Sequence, residues 1–263
     1  MQFERELEFA RDIAARAGAL ALEYQARGLD AESKSDLSPV TIADRESERL
    51  LAQAITEMFP EDGLLGEEGA TRSAQSGRTW IVDPIDGTRD FVRGHNQLWA
   101  VLLGLEQDRE VVAGVAHFPG RGETYSASKG GGAWCNGVRL HASQIARADQ
   151  AVLCLNGINA LGQRPFGPRL LEWASQFWSV RSMGGAVDAI LLASGRADVW
   201  VENTAQAWDL APLKILFDEA GVRFRNFDGG QSIYGGNCVA YTPALEAVVE
   251  DLLQGQPVAA QVR

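Results

Sequence analysis

Basic charge is scarce in this chain: 24 Lys and Arg stand against 35 Asp and Glu, for a formal net charge of −11. A protein so acidic repels polyanions, which excludes nucleic acid and anionic membrane surfaces as expected partners. Cysteine and histidine are scarce as well, at three each. Cys135, Cys154 and Cys238 lie far apart and never form the close pair of a zinc ribbon or a redox motif, so no disulfide framework is expected. No apolar run approaches the 18 or so residues of a membrane span, and the opening Met1-Gln2-Phe3-Glu4-Arg5-Glu6 is acidic where a signal peptide is basic and then apolar. These absences predict a soluble cytoplasmic protein. No G-x-G-x-x-G follows a strand-like run, no Gly-Lys-Ser/Thr occurs, and there is no G-x-S-x-G elbow, which argues against dinucleotide binding, P-loop chemistry and serine hydrolysis.

What the chain does hold is enough apolar residue, 46% of 263, to bury a large core as one compact domain or two joined halves, 1–145 and 146–263. Phe3, Leu7, Ala10, Ala14, Ala17 and Ala21 recur every three to four residues and predict an amphipathic helix ending near Gly28. A second helix is expected from about Val40 to Phe59. Thr79 to Asp83 reads as a buried strand entering a turn at Pro84-Ile85-Asp86-Gly87. Residues 98–140 read as successive, mostly antiparallel strands: Val111 to Phe118, Glu123 to Ser128 and Trp134 to Leu140. After Ala151 to Leu155, strands and helices alternate, with helices over Gly184 to Ser194, Trp208 to Ala220 and Pro243 to Leu253, and strands over Ala197 to Glu202 and Val222 to Phe227. Gly63 to Gly77 reads as the loosest segment, and it carries acidic residues.

The sharpest signal is Asp83-Pro84-Ile85-Asp86-Gly87-Thr88. It places two carboxylates three residues apart across a stiff turn, with the Ile85 carbonyl between them, and hard cations want oxygen ligands converging from a rigid frame. Backbone N–H groups at Gly87 and Thr88 can face a phosphate if a helix starts there. Three weaker signals accompany it: adjacent carboxylates in Gly66-Glu67-Glu68-Gly69, an acid at an apolar helix start in Thr41-Ile42-Ala43-Asp44, and Trp208-Asp209-Leu210-Ala211-Pro212. Taken singly, each has an ordinary reading: an Asx turn at Asp83, solvated loop charges at Glu67 and Glu68, and a helix cap at Asp209.

Together and in this order, the four segments resemble the inositol monophosphatase family of metal-dependent, lithium-sensitive phosphatases. The resemblance covers about residues 34–240, with Pro212 where the family more often has a small residue. It implies an α/β fold of layered αβαβα order and hydrolysis of a small phosphorylated metabolite with two or three Mg²⁺ ions. It assigns Glu67, Asp83 and the Ile85 carbonyl to one ion, Asp83, Asp86 and Asp209 to a second, and a weaker third to the side of Glu67. Thr88, bonded to Asp44, would orient or deprotonate the attacking water, with Glu68 acting from behind. Gly87, Thr88 and Asp209 would meet the phosphate; Gly184, Gly185, Ala186 and Glu202 would meet the leaving group. Lys34 precedes the Asp36-Leu37-Ser38-Pro39 loop, which in the family lies over the site. His95, His117 and His141 are read as surface or structural residues. A homodimer is implied only because relatives commonly form one.

For the substrate, the family default is an inositol monophosphate. Asp90-Phe91-Val92-Arg93-Gly94 and Trp99 also resemble the family's histidinol-phosphate phosphatases, and the length of the Phe91 to Leu105 stretch its adenosine bisphosphate phosphatases. An alternative of another class is a phospholigand-binding protein without turnover. Its mark would be a missing carboxylate or a missing Thr88, and none is missing.

Overall fold

The computed structural model describes residues 2–28, 32–33 and 39–254, with 32–33 and 39–40 described as backbone only. Lys34 and most of the loop expected over the site lie outside the described residues. The chain opens with helix α1 (Glu4–Arg27), whose buried stripe is Leu7, Ala10, Ile13, Ala14, Ala17 and Ala21, close to the expected one. Two short strands, β1 (Glu32–Ser33) and β2 (Pro39–Val40), pair antiparallel. Helix α2 (Ile42–Met58) follows, opened by a capping box in which the Thr41 side chain accepts the Ala43 N–H and Asp44 reaches back to the Thr41 N–H.

Eight strands then form one sheet. They are β3 (Gly63–Gly66), β4 (Thr71–Arg72), β5 (Arg78–Asp86), β6 (Ala100–Gln107), β7 (Glu110–Phe118), β8 (Glu123–Ser128), β9 (Gly132–Cys135) and β10 (Val138–Arg139), in the order β10-β9-β8-β7-β6-β5-β3-β4. Helix α3 (Thr88–Val92) interrupts the run after β5. The second sheet has the order β12-β11-β13-β15-β14, from β11 (Val152–Asn156), β12 (Ser179–Arg181), β13 (Val199–Glu202), β14 (Arg223–Arg225) and β15 (Cys238–Tyr241). Helices α4 (Ile158–Leu161), α5 (Leu170–Ala174), α6 (Gly185–Ala193), α7 (Ala207–Ala220) and α8 (Glu246–Gln254) complete it.

Three apolar clusters give the layering its physical basis. One joins α1 and α2 to the first sheet, around Ile13, Leu51, Trp80 and Trp99. A second fills the space between the first sheet, α6 and α7, and the second sheet, around Ile190, Trp200 and Phe217. A third lies between the second sheet and α5 and α8, around Trp173, Leu245 and Val249. A sheet or helix is stable only when its apolar face is covered, and stacking these layers covers every one of them in αβαβα order. Among the described residues no helix is long and apolar enough to cross a membrane. The three cysteines are free, two of them buried.

Three local expectations are corrected. Of the turn expected over Pro84 to Gly87 only Gly87 turns: β5 continues to Asp86, with a register shift between Asp83 and Asp86 before Asp86 pairs with Ala100. Pro84 fits there because a bulge does not require the N–H that proline lacks. Trp134 to Leu140 is not one strand but the hairpin β9–β10, closed by Asn136 and Gly137, both at positive φ (47° and 83°), which is the Asn-Gly signature of a tight hairpin. The segment from Gly63, read as loose, begins with β3, which pairs parallel to β5 from Gly63↔Thr79 to Gly66↔Val82. Strand-like periodicity is invisible in four residues of which two are glycine.

Candidate active site

The end of β5 and the start of α7 bring Asp83, Asp86 and Asp209 together: each offers a carboxylate oxygen, and these oxygens lie within 4.8 Å of one another. They reach that point by different means. Asp83 and Asp86 straddle the bulge, and Asp83 Oδ1 accepts the Ile85 N–H at 2.9 Å, which stiffens the segment. Asp209 is the third residue of α7, not its N-cap; its Oδ2 accepts the N–H of Gln206 at 2.7 Å. Pro212 sits inside this helix without ending it. Proline lacks the N–H that would bond the Trp208 carbonyl, a loss confined to the first turns of α7.

Burial and mutual repulsion set the electrostatics. Asp83 is pushed well above the usual carboxylate range, first by burial and then by Glu67, Asp86 and Asp209. Asp209 is raised in the same way, with Asp86 the largest charge acting on it. Asp86 is pushed up to about 6 by burial, opposed by the Ala186 N–H, which donates to Asp86 Oδ2 at 3.1 Å. Clustered carboxylates that repel one another, one buried and two half-buried, are unfavourable unless a cation compensates them. An all-oxygen donor set without His or Cys fits a hard divalent ion such as Mg²⁺.

The other predicted residues surround this cluster. Glu67 lies half-buried beside Asp83, its backbone N–H donating to the Val82 carbonyl at 3.2 Å, so it is not an ordinary solvated loop charge. Glu68 is half-buried too, and its N–H is held by Glu48. The Ile85 carbonyl accepts the Thr88 hydroxyl at 3.1 Å, and the same hydroxyl stands 3.3 Å from Asp44 Oδ1. Asp44 is fully buried and raised above its ordinary value by burial, against the pull of its two bonds from Thr41. Gly87, at φ 89°, turns the chain from β5 into α3; a Cβ there would stand 2.9 Å from the Leu98 carbonyl oxygen. Only glycine meets both demands.

From the second half, Gly184, Gly185 and Ala186 lead into α6 against Asp86; a Cβ on Gly185 would lie 3.1 Å from Asp86 Oδ1. Glu202 ends β13 and is 3% exposed, so it is no surface charge. Its oxygens accept Asn156 Nδ2 at 2.6 Å and the Thr204 N–H at 3.2 Å, and burial pushes its carboxyl up to about 7. His95 is an exposed partner of Asp90, and His117 bonds the Thr124 hydroxyl.

Three residues escaped the sequence reading. Glu48 on α2 accepts two N–H groups of the Glu67–Glu68 loop. Asp188 on α6 accepts the N–H groups of Met183 and Gly184. Asn156 orients Glu202. Glu48 alone left a trace in sequence, one helical turn after Asp44.

A family model described as the inositol monophosphatase family matches residues 3–256. Histidinol-phosphatases of Chlorobaculum parvum and Mycobacterium tuberculosis are 38% and 36% identical over 232 and 241 residues, which cover 88% and 89% of this chain and 89% and 92% of theirs. An inositol-1-monophosphatase of Mesorhizobium japonicum is 36% identical over 225 residues, covering 81% of this chain and 84% of its own. Among solved structures, the extragenic suppressor protein suhB of Bartonella henselae superimposes with a TM-score of 0.88 at 27% identity, covering 96% of this chain and 99% of that one.

Proposed function

We propose, from the fact that the chain belongs to the inositol monophosphatase family of metal-dependent phosphoric monoester hydrolases, that its substrate is histidinol phosphate. One observation carries this reading: beside the three aspartates stand two further carboxylates, Asp90, which acts on Asp86, and Glu202, on which Asp86 acts. Glu202 is buried with two of its acceptor positions taken by Asn156 and Thr204, and Asp90 reaches to within 4.0 Å of where a Gly184 Cβ would be. A carboxylate has about four lone-pair sites, so Glu202 keeps capacity to accept from an ammonium or a hydroxyl. A leaving group with a cationic end gains from both charges, whereas a neutral polyol gains hydrogen bonds alone. The histidinol-phosphatase relatives support the same choice.

In this reading Asp83, Asp86 and Asp209, with Glu67 and the Ile85 carbonyl, hold two or three Mg²⁺ ions. Bound Mg²⁺ supplies Lewis-acid polarisation of the phosphate and a more acidic water. The chain's own residues do the rest. Thr88 Oγ takes a proton from the attacking water while its own proton passes to Asp44 Oδ1, a buried carboxyl whose raised pKa suits it to receive one. Glu68 acts through the loop it shares with Glu67. Gly87 and Thr88 bring the chain close to the phosphate, and Gly184 to Ala186 do the same for the leaving group, since small residues leave room for approach.

The test is phosphate release over a panel of histidinol phosphate, inositol 1-phosphate, adenosine bisphosphate and fructose bisphosphate. The proposal requires kcat/KM for histidinol phosphate to exceed the others by about tenfold or more, which is about 1.4 kcal/mol of discrimination. An inositol phosphate is the second reading, favoured by the relative of that name in Mesorhizobium japonicum. A panel led by inositol 1-phosphate would establish it instead.

A further inference from the structure

Glu48 has no part in the chemistry above, yet it is a carboxylate only 3% exposed, one helical turn beyond Asp44 on the same face of α2. Burying such a group is costly unless its bonds are specific. Its Oε2 accepts the Glu68 N–H and its Oε1 the Ala70 N–H, both at 2.8 Å. Gly66 is fitted closely against it: a Cβ there would lie 2.3 Å from Glu48 Oε2. The loop is fastened at two further points, Gly66 N–H to the Ala70 carbonyl at 2.7 Å and Glu67 N–H to the Val82 carbonyl at 3.2 Å. Residues 66–70 are therefore clamped from both sides, and the side chain so placed, Glu67, is the one beside Asp83.

We infer that Glu48 is a positioning residue for the cation site, fixing the Glu67–Glu68 loop from behind and so setting metal affinity. The inference rests on the reading of Glu67 as a ligand. A carboxylate accepts two N–H groups at once, one on each oxygen. The amide of glutamine accepts one and turns its own N–H groups toward the other, so Glu48→Gln keeps the volume and releases half of the clamp. Because Asp44 and Glu48 ride on one helix, α2 holds the partner of Thr88 and the support of Glu67 in a single rigid frame.

The test is calorimetric titration of Mg²⁺ into the metal-free full chain, for the parent, Glu48→Gln, Gly66→Ala and the double variant. Each single variant is expected to weaken Mg²⁺ binding 10–100-fold, the usual effect of losing a partner that orients a ligand. The Mg²⁺ concentration for half-maximal phosphate release should rise in proportion, with kcat recovered at saturating Mg²⁺. Both substitutions act on one contact, so the double variant should be little weaker than the worse single one. Unchanged Mg²⁺ affinity with a lowered melting temperature would reduce Glu48 to a structural brace and overturn the inference, as would additive effects. If Glu48→Gln does not fold, Gly66→Ala decides alone, and parental affinity there overturns it. A parent that binds no Mg²⁺ overturns the metal reading and this inference with it.

Discussion

Gly104 on β6 and Gly114 on β7 stand directly opposite each other in the first sheet, and α7 crosses over the pair. A Cβ on Gly104 would lie 2.6 Å from Ala211 Cβ, and one on Gly114 2.8 Å from Pro212 Cα. The sheet is bare where the helix is bulky, and the close approach fixes the depth at which Asp209, two residues before Ala211, meets Asp83 and Asp86.

Gly104→Ala should therefore act on stability and on the site together. Overpacking a close contact costs about 1–3 kcal/mol, and at this chain length each kcal/mol lowers Tm by roughly 2–4 °C. Thermal unfolding in chelator and Mg²⁺ titration check both effects. A variant with lowered Tm and parental Mg²⁺ affinity would show that the contact does not set the position of Asp209.

Metal dependence follows from the carboxylate cluster. Chelator should abolish phosphate release and Mg²⁺ restore it. Asp86→Asn should weaken Mg²⁺ binding by more than the 10–100-fold typical of an outer partner, yet leave the metal-free protein at pH 8 no less stable than the parent, because it removes one of several mutually repelling charges. A marked loss of metal-free Tm would mean that Asp86 is chiefly structural.

Thr88→Ala removes the hydroxyl shared by Asp44 and the Ile85 carbonyl. With Thr88 relaying a proton, kcat should fall by about 10²–10⁴-fold with Mg²⁺ affinity little changed. Loss of metal at unchanged fold would instead make Thr88 part of the metal's surroundings.

Glu202 provides a pH prediction. Its folded pKa, about 7, exceeds the ordinary 4.5, so between those values the folded chain holds a proton that the unfolded chain releases. Its contribution to stability is full below 4.5 and is lost as pH rises through about 7, a change of about 3 kcal/mol. Metal-free Glu202→Gln should accordingly gain stability relative to the parent from pH 5 to pH 8, measured by denaturant titration. In the loaded enzyme a cation at Asp86 opposes that residue's push on Glu202, while burial, the largest cause, still holds the midpoint above the ordinary value. Ionised Glu202 attracts an ammonium, so kcat/KM for histidinol phosphate should rise through that midpoint in the parent and not in Glu202→Gln, with a weaker change for inositol phosphate. Equal proportional loss on both substrates would show that Glu202 does not read the leaving group.

The sequence by itself determined α1 and α2, whose buried face repeats over several turns and has one low-energy use, and it marked α6 and α7 by dense apolar content rather than by a stripe. It also placed two of the three clustered carboxylates side by side, since Asp83 and Asp86 are neighbours in the chain and their spacing is a local property. The tertiary structure decided what depends on distant residues. The bulge that continues β5 through Pro84 exists because Ala100 is there to pair with Asp86, and the four-residue β3 exists because β5 lies alongside it. Glu202 looks like a strand-end surface charge until β11 and β15 close around it, and Glu48 like any helix carboxylate until residues 66–70 fold against it. Burial is a sum over elements remote in sequence. The groups whose behaviour depends on burial, the raised carboxyls and the braced loop, could therefore be assigned only once the layers were stacked.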